Sequence, residues 1–159
     1  MFNHSILNIK KRPFAFAKIK GSNDYPRING VVYFYNVPAG VLVSIQLRGL
    51  PISDDICKKP IFAVHIHSGD SCTGSNTDQF ADAMTHYTPD DCAHPYHAGD
   101  LPPVFGANGL AFSVSLTNRF SAEEIIGKTI IIHSSPDDFT TQPSGNSGAK
   151  IACGVITYV

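Results

Sequence analysis

Ile61-Phe-Ala-Val-His65-Ile-His67 predicts a β-strand, because it combines β-branched and aromatic residues with no helical spacing of its apolar positions. Successive side chains of a strand point to opposite faces, so His65 and His67 project from the same face. Six further runs share this β-type pattern, at residues 14–20, 31–35, 41–47, 110–116, 129–133 and 151–156. Together the seven runs predict an all-β chain.

Turn residues separate these runs and predict how they are connected. Asn29-Gly30, Pro38-Ala-Gly40 and Asn108-Gly109 supply the positive φ angles and fixed turns that join antiparallel strands. Ser121-Ala-Glu-Glu-Ile-Ile alone begins like a helix, with a Ser cap and early acidic residues, and it is short. We therefore predict an antiparallel β-sandwich or barrel.

Length and composition limit the class of protein. The chain has 159 residues, 43% hydrophobic and 16% charged, with a formal net charge of -1, which fits one globular domain. This near-neutral charge argues against nucleic acid and anionic membranes as partners. Residues 1–13 are predicted to be an N-terminal extension and residues 14–159 the domain. The extension has no signal-peptide pattern, so we expect a cytoplasmic location, with an extracytoplasmic one as the alternative.

His65 and His67 are candidate metal ligands. A strand with one histidine usually holds a structural, hydrogen-bonded side chain. Two on one face of so apolar a strand would bury two imidazoles without a partner. Because imidazole is a common metal ligand, the pair favours one bound metal ion.

A second candidate set lies in a long connection, residues 68–103, and long loops in compact domains are often functional. His94, His97 and Asp100 are spaced three apart among Pro and Gly, which suits a tetrahedral zinc site. The alternative is a solvated polar turn, which His-x-x-His alone does not exclude. His86 is the candidate fourth ligand, and it would bridge two metals if each ring nitrogen bound one.

His133 ends an apolar strand, and Asp137 follows in a second long connection, residues 134–148. A histidine ligand generally needs its other ring nitrogen held by a carboxylate or carbonyl oxygen. Asp137 is therefore the candidate for holding His133.

These motifs occur in an order that resembles the copper-zinc superoxide dismutase family, bacterial type, from about residue 14 to the end. Five ordered motifs carry the resemblance: His65-Ile-His67 with Gly69-Asp70, His86-Tyr-Thr-Pro89, His97-Ala-Gly-Asp100-Leu101, His133 with Pro136-Asp137-Asp138, and Gly145-Asn146-Ser147-Gly148 leading to Ala152-Cys153-Gly154.

The resemblance implies a Greek-key β-barrel of about eight antiparallel strands with two long functional loops. It also implies the dismutation of superoxide to oxygen and hydrogen peroxide. The implied ligands are His65, His67, His86 and His133 for copper, and His86, His94, His97 and Asp100 for zinc. It further implies that Asp137 links His65 to His94 and that Cys72 is bonded to Cys153. In the implied mechanism the His86 bridge carries a proton.

Two departures from the family pattern concern the approach of the anion. Lys150 stands where the family has arginine, so it would draw superoxide with one mobile ammonium rather than a planar fork. The second long loop is shortened, and its residues 139–144 carry no charge. We therefore expect weaker electrostatic steering and a more open copper.

Cys57 and Cys92 have no counterpart in the family pattern. Our hypothesis is that they form a second disulfide that pins the zinc loop, with free thiols as the alternative. Thiolate is also a good zinc ligand, so these residues could compete for a metal.

Two other functions remain compatible with the fold. One is a non-enzymatic copper or zinc carrier, or chaperone-like protein, and the other is a zinc protein never loaded with copper. Carriers of this fold often lack a copper histidine, whereas this chain has all four. The oligomeric state is open, with a homodimer as the candidate assembly.

Overall fold

The computed structural model describes residues 12–159 of the chain. Eight strands follow one another: β1 (Ala15–Gly21), β2 (Asn29–Val37), β3 (Gly40–Arg48), β4 (Ile61–His67), β5 (Asp100–Phe105), β6 (Leu110–Thr117), β7 (Thr129–His133) and β8 (Lys150–Tyr158). A single 3-10 turn, Ala81–Ala83, interrupts the long connection between β4 and β5. Among the described residues, no helix has the length and apolarity that crossing a membrane requires.

The strands form one antiparallel sheet in the order β5-β4-β7-β8-β1-β2-β3-β6, which curls into a nearly closed barrel. This confirms the predicted all-β fold of about eight strands. The pairing of β4 with both β5 and β7 sets the positions of chemically important residues. His65 stands opposite Asp100 across one ladder, and His133 stands opposite Lys150 across the β7–β8 ladder.

The barrel interior is filled by alternate side chains of the strands. Val32 and Phe34 of β2, Ile45 of β3 and Ile132 of β7 are among the fully or almost fully buried residues. Apolar burial of this kind supplies most of the favourable free energy of folding. The core thus gives the strand ends a rigid base, and the long connections are built on it.

Three sequence-based expectations differ from the structure. Strand β5 was missed because it contains Pro102 and Pro103, which remove two amide donors; β5 tolerates them because it lies at one end of the strand order. Asn29-Gly30 begins β2 instead of forming a turn. Ser121 and Glu124 bond reciprocally as in a helix cap, but only turns follow them. The predicted extension, residues 1–13, lies mostly outside the described residues.

Candidate metal centre

Six histidines and two aspartates lie together at the end of β4 and β7, where the two long connections meet. His65 and His67 come from β4, and His133 ends the neighbouring strand β7. An isolated bridge to His67 brings in His86 from the first connection. Two groups of side chains place their ligand atoms within 4.8 Å of one another: His65, His67, His86 and His133, and His86, His94, His97 and Asp100.

Burial keeps three histidines of the first group neutral, namely His65, His67 and His133. Desolvation, followed by the charges of neighbouring histidines, lowers the pKa of His65 and of His67 from 6.5 to about 2. Desolvation also lowers the pKa of His133, to about 4. Neutral imidazole is the form that binds a metal, so these side chains are in the ligating state at neutral pH.

Hydrogen bonds fix which ring nitrogen of each histidine is free. His67 Nδ1 lies 2.9 Å from the carbonyl oxygen of Met84, and His133 Nδ1 lies 3.3 Å from that of Gly148. A carbonyl oxygen only accepts, so each Nδ1 donates and each Nε2 keeps its lone pair. These two Nε2 atoms lie 3.4 Å apart and converge on one point.

Asp137 fixes the ring orientation of two further histidines. Its Oδ2 lies 2.8 Å from His65 Nε2, and its Oδ1 lies 2.9 Å from His94 Nε2. The carboxylate accepts from both, so His65 and His94 each present the lone pair of Nδ1. The expectation that Asp137 holds His133 is wrong, because His133 Nδ1 instead faces Gly148 O and Ser147 Oγ, each at 3.3 Å.

A close backbone approach allows this link. Gly145 has a φ of +67°, and a Cβ at this position would collide with Asp137 Oδ1 and lie 2.7 Å from His94 Nε2. Only glycine combines the left-handed conformation with the absence of that atom. A glycine at position 145, the first of the Gly-Asn-Ser-Gly turn, is thus required by the packing beneath the histidines.

Asp100 gathers the second group. One carboxylate oxygen lies 2.7 Å from His86 Nδ1, and the other lies 3.0 Å from His94 Nδ1 and 3.2 Å from His97 Nδ1. Burial alone would raise the pKa of Asp100, but the hydrogen bond from His86 and the charges of the three histidines lower it to about 2. Three imidazole nitrogens and one carboxylate are a common donor set for zinc.

Unsatisfied buried atoms test whether metals fit these groups. His65 Nδ1, His86 Nε2 and His94 Nδ1 are buried and have no hydrogen-bond partner within residues 12–159. His94 Nδ1 lies near Asp100 without hydrogen-bond alignment. Leaving such atoms unpaired costs about 1–3 kcal/mol each. His86 alone contributes to both groups, with Nδ1 towards Asp100 and Nε2 unpaired. The donors therefore fit two metal ions that share one imidazole.

A cavity of about 570 Å³ leads from the surface to the first group. His67, His86 and His133 line it, together with Gln142 and Lys150. The ammonium of Lys150 donates to Asp78 Oδ2 at 2.8 Å and to the carbonyl oxygen of Phe80 at 3.0 Å. Lys150 therefore lies in the cavity wall, and it forms an ion pair that the sequence did not predict.

Gln142 is a second contact that the sequence did not predict. Its side-chain oxygen accepts from His94 N at 3.1 Å, and its amide nitrogen donates to His94 O at 2.6 Å. The second long connection, residues 134–148, therefore holds the backbone of His94, a member of the second group. No sequence signal marks this residue, because the contact joins positions 48 residues apart.

Of the two predicted disulfides, one is present. Cys72 is bonded to Cys153 of β8, with a Cα–Cα distance of 5.7 Å. The predicted Cys57–Cys92 bond is wrong, because both are exposed free thiols. Cys57 precedes the start of β4, whereas Cys92 lines the cavity at the other end of that strand. Seven strand residues span roughly 20 Å, and a disulfide needs Cα atoms within about 7 Å.

Comparison with known structures places the fold among copper/zinc superoxide dismutases. The enzyme from Brucella abortus matches with a TM-score of 0.75 at 22% identity, over 89% of this chain and 98% of that chain. A double mutant of a superoxide dismutase-like protein from Bacillus subtilis matches with a TM-score of 0.70 at 27% identity, over 89% and 96%.

Sequence comparison agrees. The chain is 34% identical to superoxide dismutase [Cu-Zn] of Schizosaccharomyces pombe, over 89% of this chain and 96% of the relative. It is 33% identical to superoxide dismutase [Cu-Zn] of Caulobacter vibrioides, over 80% and 77%. A sequence model described as copper/zinc superoxide dismutase matches residues 28–156. With two histidine clusters that share His86 at the end of an eight-stranded barrel, the chain belongs to the copper/zinc superoxide dismutase family.

Proposed function

We propose that this chain is a superoxide dismutase that holds copper on His65, His67, His86 and His133 and zinc on His86, His94, His97 and Asp100. The observation that carries the proposal is the placement of His86, whose two ring nitrogens belong to different clusters. A carrier of one metal needs no such shared imidazole.

The reaction consumes two superoxide ions and two protons and yields one dioxygen and one hydrogen peroxide. Copper, when bound, supplies a one-electron couple that removes an electron from one superoxide and returns it to a second, while zinc supplies a fixed positive charge. The chain orients the nitrogen atoms that would hold copper. Carbonyl oxygens orient the lone pairs of His67 and His133, and Asp137 orients that of His65.

His86 is the proton carrier in this proposal. Its Nε2 has no hydrogen-bond partner among the described residues, and the side chain lines the cavity through which substrate enters. His65 Nδ1 is also unpaired, but His65 is absent from the cavity wall. Nε2 of His86 can therefore take up a proton and pass it to peroxide leaving through the cavity.

Lys150 supplies the positive charge that draws superoxide in. It lies in the cavity wall with His67 and His133, where an ammonium favours a small anion. The residues of the shortened loop that reach this wall, Gln142, Pro143 and Ser144, are uncharged. We therefore expect the rate to depend on Lys150 more than on a field spread over the loop.

Metal analysis and dismutation measured on one sample test the proposal. We expect about one copper and one zinc per chain, and superoxide decay faster than with the same concentration of free copper. His133→Ala removes one oriented nitrogen and should abolish the excess rate. The control is His4→Ala, which changes the one histidine outside the spaced motifs of the sequence and should retain that rate. Copper bound without dismutation above free copper would favour the carrier. The expected homodimer and cytoplasmic location stay predictions.

A further inference from the structure

The positive charge available to an incoming anion is concentrated on one side chain. Among the described residues that line the cavity, Lys150 is the one cation, beside His67 and His133. Any group that engages its ammonium therefore changes the charge that an anion meets on its way to the histidines.

Asp78 engages that ammonium directly. Its Oδ2 accepts from Lys150 Nζ at 2.8 Å, and its Oδ1 accepts from the amide of Phe80 at 3.1 Å. The carboxylate is thus oriented by its own turn before it meets the lysine. Lys150 Nζ donates a second hydrogen bond to the carbonyl oxygen of Phe80 at 3.0 Å, which leaves one of its three donors for another acceptor.

The segment that carries Asp78 is anchored to the barrel. Phe80 packs with Ile131 of β7 and Cys153 of β8, and Cys153 bonds to Cys72 of the same connection. The amide of Asn23 also donates to Gln79 Oε1 at 2.7 Å. The carboxylate is therefore held beside Lys150 by the fold and does not depend on a loose surface loop.

We propose that Asp78 competes with the incoming anion for Lys150 and so lowers the affinity of the cavity for superoxide and other small anions. This inference rests on the proposed function, because it concerns the same cavity. The opposite charges of Asp78 and Lys150 largely cancel for an anion that is still far away. An anion that arrives must displace the carboxylate from the ammonium or bind the ammonium beside it.

The solvent exposure of the pair sets the size of the effect. The side chain of Lys150 is 18% exposed and that of Asp78 is 45% exposed, so water screens the attraction. Ion pairs of this kind change equilibria by about two- to fivefold. Asp78 is therefore a positioning residue that tunes anion affinity, and its loss should leave the barrel folded.

Azide titration of the copper- and zinc-loaded protein measures the effect through the visible spectrum of copper, without any turnover. In Asp78→Asn the amide oxygen can keep the Phe80 contact while the negative charge is lost. We expect its azide dissociation constant to fall by about two- to fivefold. Asp54→Asn is the matched control, because this exposed residue precedes β4 at the strand end away from His67.

A double-mutant cycle tests whether the effect passes through Lys150. In a Lys150→Gln background, Asp78→Asn should change azide binding no more than Asp54→Asn does. Equal azide affinity in Asp78→Asn and Asp54→Asn, weaker affinity in Asp78→Asn, or a full effect without Lys150 would each overturn the inference. A twofold gain in azide affinity in a protein that does not dismutate superoxide would uphold the inference and refute the proposed function. Dismutation by the wild-type protein, together with unchanged azide affinity in Asp78→Asn, would uphold the proposed function and refute the inference.

Discussion

Asp137→Asn should weaken the copper site and spare the zinc site. Asp137 Oδ1 accepts from both His94 Nε2 and the amide of Phe139, at 2.9 and 2.7 Å. Its Oδ2 has one donor among the described residues, His65 Nε2 at 2.8 Å. An asparagine side chain has one acceptor oxygen. We expect this oxygen to occupy the Oδ1 position, because two donors, His94 Nε2 and the amide of Phe139, meet there. The NH2 group then faces the N–H of His65, and two donors repel each other.

His65 can respond only by leaving its position or by changing tautomer. If Nε2 becomes the acceptor, the proton moves to Nδ1, which is the buried atom without a partner and the one that would bind copper. Either response removes one oriented ligand. Loss of an outer contact of this type weakens metal binding by about 10- to 100-fold. That factor corresponds to about 1.4–2.8 kcal/mol for copper, while zinc affinity should change by less than about threefold.

Competitive titration against a chelator of known affinity, with each metal in turn, checks this prediction. Asp138→Asn is the matched control, because this neighbouring carboxylate accepts from Thr140 and Thr141 and bonds to none of the described histidines. Wild-type copper affinity in Asp137→Asn would refute the tautomer argument. A larger loss for zinc than for copper would show that the amide oxygen faces His65 instead.

Three further predictions concern stability. Replacing Cys72 and Cys153 together by serine should lower the free energy of unfolding by about 4–5 kcal/mol, because the bridge closes a long loop with a sequence separation of 81; a loss below about 1 kcal/mol in urea denaturation would contradict this. The pKa of His65 and of His67 is lowered to about 2, chiefly by burial, so below pH 6.5 the unfolded state binds protons that the native state excludes. The free energy of unfolding of the metal-free protein should therefore fall by about 1.4 kcal/mol per pH unit for each histidine as the pH falls from 6.5. An unchanged urea midpoint between pH 7 and pH 5 would contradict the lowered pKa of these histidines. Thr129→Val removes a fully buried hydroxyl that has no hydrogen-bond partner in the described part of the chain. Thermal unfolding should therefore show unchanged stability or a gain of up to about 2 kcal/mol, and a clear loss would contradict this prediction.

The features that could be predicted from sequence are those written into short segments. The i and i+2 spacing of His65 and His67 places both on one face of a strand, and the structure has them on one face of β4. Alternating apolar runs likewise predicted seven strands at nearly their observed positions. Strand β5 was missed because its two prolines violate the local pattern, and only its place at one end of the strand order makes them tolerable.

Contacts between distant segments could not be predicted in this way. Lys150 and Asp78 are separated by 72 residues, and neither segment carries a pattern that specifies the other. Cys57 and Cys92 were paired because both flank histidine-bearing segments, yet the length of β4 separates them. Local spacing therefore predicts which face a residue is on, and tertiary packing decides which partner it meets.

Magnetic coupling between two bound copper ions tests whether both clusters share His86. Protein loaded with copper(II) in both positions should bind two copper ions per chain, and the electron paramagnetic resonance signal should be largely quenched. The reason is that Nδ1 and Nε2 of one imidazole would join the two ions. Substitution His86→Ala should restore two independent signals. Two uncoupled signals in the wild-type protein, at full copper occupancy, would show that His86 does not join the two sites.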